Sequence, residues 1–243
     1  MSEPVEPSRA ECRHFAEVSR QTLHIAAGLW ALCLRWVSPI PLILLAGVAL
    51  LFNLWLLPRI GGRWLWRPEE IARGRAVGVV FYPLTVLILL LVFFKRPEVA
   101  AAGWGLLAFG DGAATLAGSR WGRVALPWNR DKSWTGFFAF FLVGWAAVTL
   151  LVNWTVPGRY DWGFLMVTGA VVALLAALLE SAPQRLDDNL GVPLVAALFL
   201  RCLLETSGRW GELLQPSLGR VLVLGLALNA AFALAAYLLA TLD

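Results

Sequence analysis

The chain is poor in charge, and that scarcity argues against a soluble architecture. Of its 243 residues only 15% are charged and 59% are hydrophobic, with a mean hydropathy of +0.71. Soluble domains carry roughly 25% charged residues, so a polytopic membrane protein is expected rather than one large soluble core. Lysine is nearly absent: Lys95 and Lys132 are the only two among 20 basic residues. Histidine is limited to His14, which carries no readable signal, and His24. Cys12, Cys33 and Cys202 form no C-x-x-C pair and have no histidine at metal spacing, so they read as small apolar packing residues. No G-x-x-x-x-G-K-[ST] occurs, which excludes a Walker A loop. Residues 1–20 are polar and lack an apolar h-region, so no cleaved signal peptide is expected. A net charge of +4 would hint at nucleic acid in a soluble protein. Here the arginines sit between apolar segments, where topology and lipid headgroups account for them, and no nucleic-acid partner is expected.

What the sequence has in quantity is apolar runs. A helix crossing the hydrocarbon needs about 20 mostly apolar residues. Segments 22–38, 40–57, 76–94, 98–118, 134–152, 162–180, 191–205 and 219–241 qualify, an all-α bundle of about eight spans. The count falls to seven if the short first or seventh segment crosses only in part. With the N-terminus inside, cytoplasmic segments hold thirteen basic residues, among them Arg9, Arg13, Arg20, Arg59, Arg120, Arg123, Arg130, Lys132 and Arg185. The opposite face holds five: Lys95, Arg96, Arg159, Arg209 and Arg220. The positive-inside rule therefore favours a cytoplasmic N-terminus. Tryptophans near the expected span ends (Trp36, Trp55, Trp121, Trp134, Trp154, Trp162 and others) fit interfacial belts. Segment 58–75, which alternates Arg with Trp, reads as interfacial, and residues 1–20 as a cytoplasmic segment with a surface helix as one expectation. Without internal repeats, residues 21–243 read as one integral-membrane domain. The excess of arginine over lysine points by association to a GC-rich bacterial genome, hence to a bacterial cytoplasmic membrane.

Against this background the few intramembrane charges stand out. Asp111, in Gly110-Asp111-Gly112, lies inside the uncharged run Val99 to Gly118. A charge at that depth costs about 2.5–3.5 kcal/mol on insertion scales and is rarely present without a use. The flanking glycines allow the fourth span to break or kink there. Gly110, Ala114 and Gly118, four apart, give either a helix-packing face or close backbone approach to a phosphate. The loop that follows carries Arg120, Arg123, Arg130 and Lys132 around Gly122, cations suited to phosphate oxygens or equally to lipid headgroups. Ser133 reads first as an N-cap of the fifth span. Glu180 ends the sixth span, and Asp187, Asp188 and Asn189 precede the seventh. These are either magnesium ligands, since Mg²⁺ usually takes one or two carboxylates plus phosphates and water, or caps of the following helix. Arg20 and His24 share a helix face at the start of the first span. Carboxylates, cations and glycine gathered at one membrane face suit a metal–phosphate site, and a membrane-embedded phosphotransferase is the leading reading. A transporter or channel also accommodates an intramembrane aspartate in a broken helix.

Together these elements resemble the polyprenol/phytol kinase family, which includes dolichol, phytol and farnesol kinases and the yeast-type CTP-dependent diacylglycerol kinase. The resemblance runs from Arg20 to about Leu200. It comprises Arg20 with His24; Gly110-Asp111-Gly112-Ala113-Ala114-Thr115-Leu116-Ala117-Gly118-Ser119-Arg120-Trp121-Gly122; Lys132-Ser133-Trp134-Thr135-Gly136; and Glu180 followed by Asp188-Asn189-Leu190-Gly191-Val192-Pro193. It implies transfer of the γ-phosphate of CTP to the hydroxyl of a long-chain lipid alcohol. In that reading Asp111, Asp188 and Glu180 hold Mg²⁺. Lys132, Arg120, Arg123 and Arg130 hold phosphates, with Gly110, Gly118, Gly122, Ser133 and Asn189 nearby. Asp187, Glu180 or His24 accepts the alcohol proton. Thr135 departs from the family's pattern, which has glutamate there, leaving Asp131 as a substitute or a non-catalytic relative as an alternative. Phosphatidate cytidylyltransferases are the nearest rival, but their long C-terminal G-H-G-G…D-R signature is absent. The substrate alcohol and the oligomeric state are not legible in the residues.

Overall fold

A computed structural model describes residues 9–60, 77–183 and 187–207, and these are helical apart from turns, loops and one isolated β-bridge. Seven helices occur among the described residues. α1 (Arg9–Gly28) continues into a 3-10 segment, Leu29–Arg35. α2 (Pro39–Leu51) ends in a π-helical turn, Phe52–Leu56. α3 (Val77–Val92) precedes the long α4 (Pro97–Trp121), and α5 (Trp134–Thr155), α6 (Trp162–Ser181) and α7 (Asp188–Glu205) follow. The chain divides into two compact units, Met1–Cys202 and Leu203–Asp243. The features described below lie in the first.

Helix ends follow local chemistry. Pro39 and Asp161 mark starts: proline at N1 is pre-organised for helix, and Asp161 Oδ1 accepts from Phe164 N at 3.1 Å as an N-cap. Trp121, Trp134 and Trp162 stand at helix termini, where amphipathic rings favour an interface. Among the described residues four helices are long and apolar enough to cross a membrane: Pro39–Leu56, Pro97–Trp121, Trp134–Thr155 and Trp162–Ser181, with Gly78–Val92 apolar but shorter. The expected span 22–38 is divided between α1 and the 3-10 segment. Arg35, at the end of the 3-10 segment, donates to Trp154 O near the end of α5 at 3.3 Å. The expected span 191–205 begins earlier, at Asp188. Segment 219–241, most of 58–75 and residues 1–8 lie outside the described residues.

α4 is the axis of the bundle, the most buried of the four long apolar helices. Small residues let it approach its neighbours closely. A Cβ on Gly103 would come within 2.9 Å of Leu89 on α3 and 3.2 Å of Ala197 on α7. One on Gly105 would meet Leu151 on α5. Packing through small residues is how apolar helices associate where lipid removes the hydrophobic drive. The expected break near Asp111 takes the form of a π-helical turn, Leu106–Gly110, and the helix resumes at Asp111. Such turns widen a helix by one residue and recur at functional sites. α1 crosses this turn at Gly28, where a Cβ would lie 2.3 Å from Ala108 Cβ. Neither partner is a flexible side-chain end, so the helices would have to separate. Gly28→Ala is therefore expected to destabilise the protein by about 1–3 kcal/mol through overpacking, read as a lowered midpoint of thermal unfolding in detergent.

Candidate functional site

Four helix ends and one loop meet at a single face of the bundle: the C-terminus of α4, the N-terminus of α5, the C-terminus of α6 and the N-terminus of α7. The loop between α4 and α5 turns sharply at Gly122, where a Cβ would lie 2.2 Å from Gly118 O and 2.6 Å from Ser133 Oγ. Only glycine fits there. The loop then folds back on itself: Leu126 N donates to Lys132 O at 2.9 Å, Trp134 N to Val124 O at 3.1 Å, and Ala125 bridges Ser133. Ser133 is the N-cap of α5, its Oγ accepting from Gly136 N at 3.2 Å. Two more bonds fasten the loop to the end of α6. Trp128 Nε1 donates to Ser181 Oγ at 3.2 Å, and Asn129 Nδ2 to Ser181 O at 3.1 Å.

Held in this way, Lys132 points into the bundle. Its Nζ donates to Glu180 Oε1 in a short contact and to Asp188 Oδ2 at 3.2 Å. Asp111, Glu180 and Asp188 line one narrow cleft with Phe140 and Pro193. Asp111 acts electrostatically on both Lys132 and Glu180. Burial works against the ammonium charge of Lys132, but the carboxylates of Glu180, Asp188 and Asp111 more than offset it and hold its pKa above the ordinary lysine value. Three carboxylates from three helices thus gather around one cation. Pairing is what makes such burial tolerable, since an isolated buried charge costs several kcal/mol.

Beside the cluster opens a polar cavity of about 460 Å³. Gly118, Gly122 and Gly136 leave it room; Arg123, Arg130 and Lys132 supply positive charge; Asp131 and Glu180 also face it. A Cβ on Gly136 would come within 3.1 Å of Ala114 O, and one on Gly110 within 3.3 Å of Phe140, so the Gly110, Ala114, Gly118 stripe packs α4 on α5. Arg120 is not brought to the cavity: it is exposed, with its guanidinium 5.7 Å from the Trp121 ring. Asp187 caps α7, accepting from Asn189 N at 3.0 Å. Asn189 is buried, and its carbonyl accepts from Thr85 Oγ1 at 2.8 Å, tying α3 to α7. Thr135 Oγ1 donates to Trp121 O at 3.3 Å. His24 lies elsewhere, its ring 4.3 Å from that of Tyr82 on α3.

Among the described residues no three His, Cys, Asp or Glu side chains form a ready-made metal site. The donor set around the cleft does fit a hard cation of the Mg²⁺ type, which takes one or two carboxylates and completes its shell with phosphate oxygens and water. Sequence reasoning missed the loop's anchors, Trp128, Asn129 and Ser181. Tyr82 and Trp104 were also missed; only an aromatic facing His24 across helices signals them, and periodicity does not show that.

Fold and site together define an integral membrane protein with a charged cluster at one face. The chain is 34% identical over 196 residues to "Phytol kinase" of Synechocystis sp., covering 75% of this chain and 78% of that protein. It is 33% identical over 148 residues to "Probable phytol kinase, chloroplastic" of Zea mays, covering 59% and 47%. To "Phytol kinase 1, chloroplastic" of Arabidopsis thaliana it is 30% identical over 137 residues, covering 54% and 44%. It spans less than half the length of these two plant relatives. No family profile and no solved structure matches. The chain belongs to the polyprenol/phytol kinase family.

The cluster makes a stability expectation with a definite pH sign. The pKa of Lys132 is raised on folding, so its contribution is present below the ordinary lysine range and is lost as pH rises through the raised value. Lys132→Met should lower thermal stability in detergent at neutral pH, with the difference lost only as pH rises above the ordinary lysine value of about 10.4. Adding Glu180→Gln should recover part of the loss, because it removes a carboxylate left without its partner.

Proposed function

We propose that the protein is a lipid-alcohol kinase that transfers the γ-phosphate of CTP to the hydroxyl of a long-chain alcohol, with phytol the first candidate. The observation that carries this reading is the Lys132–Glu180–Asp188 cluster with Asp111, set at the edge of a cavity bearing Arg123 and Arg130. Family membership supports the reaction class. The apolar helices support a substrate drawn from the bilayer, and positive-inside charge supports a site facing the cytoplasm, where nucleotides are.

Phosphoryl transfer asks mainly for positioning and for charge placed where negative charge develops. Arg123, Arg130 and Lys132 hold the phosphates of the nucleotide in the polar cavity. Asp111 and Asp188 are the groups that would hold Mg²⁺, which neutralises phosphate charge when bound. The alcohol oxygen forms a bond to the γ-phosphorus as the bridge to the β-phosphate breaks, releasing CDP. The alcohol proton passes to Glu180 at the cleft where Asp111 and Asp188 hold the metal; Asp187 is engaged at its helix cap. Thr135 brings no carboxylate, and Asp131 on the cavity wall is the acid nearest to it in sequence.

The test is purified protein in detergent with Mg²⁺, CTP or ATP labelled at the γ-phosphate, and a panel of lipid alcohols. Label should appear in a lipid monophosphate, and Asp111→Asn should reduce the rate by at least about 10²-fold. Release of pyrophosphate from CTP with a lipid phosphate as co-substrate would instead identify a cytidylyltransferase. Full Mg²⁺-dependent activity in Asp111→Asn would remove the centre of the proposal.

A further inference from the structure

A second cavity, of about 390 Å³, lies between α1, α2 and α3, outside the charged cluster, and its character is the opposite. Its lining is largely apolar, with Ala27, Ala46 and Ala49 giving it width. From Arg20 to Trp30 it follows α1 for about 15 Å at 1.5 Å per residue. That is long enough to lay an extended hydrocarbon chain along the helix. Leu42, Val79, Val86 and Trp104 are buried in its wall, whereas Leu23, Trp30, Leu45 and Phe52 are exposed, so the cavity opens sideways to the lipid phase. The flanking helix Pro39–Leu56 is the least buried of the four long apolar helices, with 11% of it buried. An acceptor can therefore slide in from the bilayer.

The polar groups sit toward one end. Arg20 and His24 line the cavity there, and Tyr82 donates to His24 O at 2.8 Å while accepting from Trp104 Nε1 at 3.0 Å. This part of α1 also packs against the stretch of α4 that carries Asp111, with Gly28 set against Ala108. Ile25, on the next face of α1, would meet a Cβ on Gly112 at 2.9 Å, one residue past Asp111. Tyr82 lies within the field of Asp111. A molecule with an apolar body and one hydroxyl matches this layout: hydrocarbon along α1 and α2, hydroxyl beside Arg20 and His24 at the wall nearest Asp111.

We infer that this cavity holds the hydrocarbon chain of the acceptor alcohol, with Arg20 and His24 marking its hydroxyl end. The inference rests on the lipid-alcohol kinase reading for the identity of the occupant. Binding can nevertheless be measured without turnover. A phytol analogue carrying a diazirine in mid-chain, photolysed with the purified protein in detergent without nucleotide, should label peptides of α1, α2 or α3, and excess phytol should suppress that labelling. Labelling confined to α5 and α6, or labelling suppressed by phosphatidylcholine but not by phytol, would overturn the inference. Ala46→Trp, which fills the cavity, gives a second readout. It should reduce the preference for phytol over the short alcohol geraniol by about tenfold in kcat/KM, the equivalent of about 1.4 kcal/mol. An unchanged preference would count against the site. Failure of phosphate transfer with specific photolabelling intact would remove the kinase reading and leave the chain site standing.

Discussion

The arrangement of this molecule at its functional face depends on one cation among carboxylates. Lys132 reaches Glu180 across 48 residues of sequence and Asp188 across 56, and it joins a loop to the ends of two helices. Without it, Glu180, buried at the end of an apolar helix, would face Asp188 and Asp111 with no counter-charge. A buried ion pair of this kind gives weak net stability against an apolar alternative, yet losing one partner is costly. Its presence is better explained by what the charges can bind than by what they add to folding. Under the proposed function, Mg²⁺ enters a cluster in which carboxylates outnumber cations, and Lys132 turns from the carboxylates toward phosphate oxygens.

The second constraint is closeness. α4 carries Asp111 through the middle of the bundle, and its glycines and alanines bring α1, α3, α5 and α7 within contact of it. The π-helical turn before Asp111 shifts the helix phase where the carboxylate must face the cleft. Gly122 and Gly136 then let the α4–α5 loop fold back over the end of α6. The apolar cavity is lined by α1 and Tyr82, and α1 packs on the stretch of α4 that carries Asp111, whose C-terminal end lines the polar cavity. The proposed chemistry calls for such a division, because a nucleotide comes from water and a prenyl chain from lipid.

Much of this was legible in the sequence, for physical reasons. Asp111 and Glu180 stand out because charge within apolar runs is expensive, and Ser133 reads as a cap from its place before a span. The helical class follows from hydropathy alone. Residues Asp187, Asp188 and Asn189 were not separable, since adjacent polar residues at a helix start all suit a cap; the backbone assigns that role to Asp187. Arg120 and Arg123 look equivalent in sequence, and only the turn at Gly122 sends one to the Trp121 ring and the other to the cavity. Glu98 escaped notice at the edge of an apolar run. It is fully buried, with Arg96 Nε donating to Glu98 Oε1 at 2.7 Å. The back-folded loop and the apolar cavity depend on contacts between distant segments, which a single sequence does not display.

The central claim is that the Lys132 cluster is a metal–nucleotide site, and it is tested most directly by binding rather than by turnover. Mn²⁺ in place of Mg²⁺ reports its own coordination by electron paramagnetic resonance. With CTP added, the signal of free Mn²⁺ should fall in the wild-type protein beyond the fall that CTP alone causes. The Asp111→Asn protein should show no such additional loss. CTP bound equally well without any divalent ion, and unaffected by Asp111→Asn, would contradict the account.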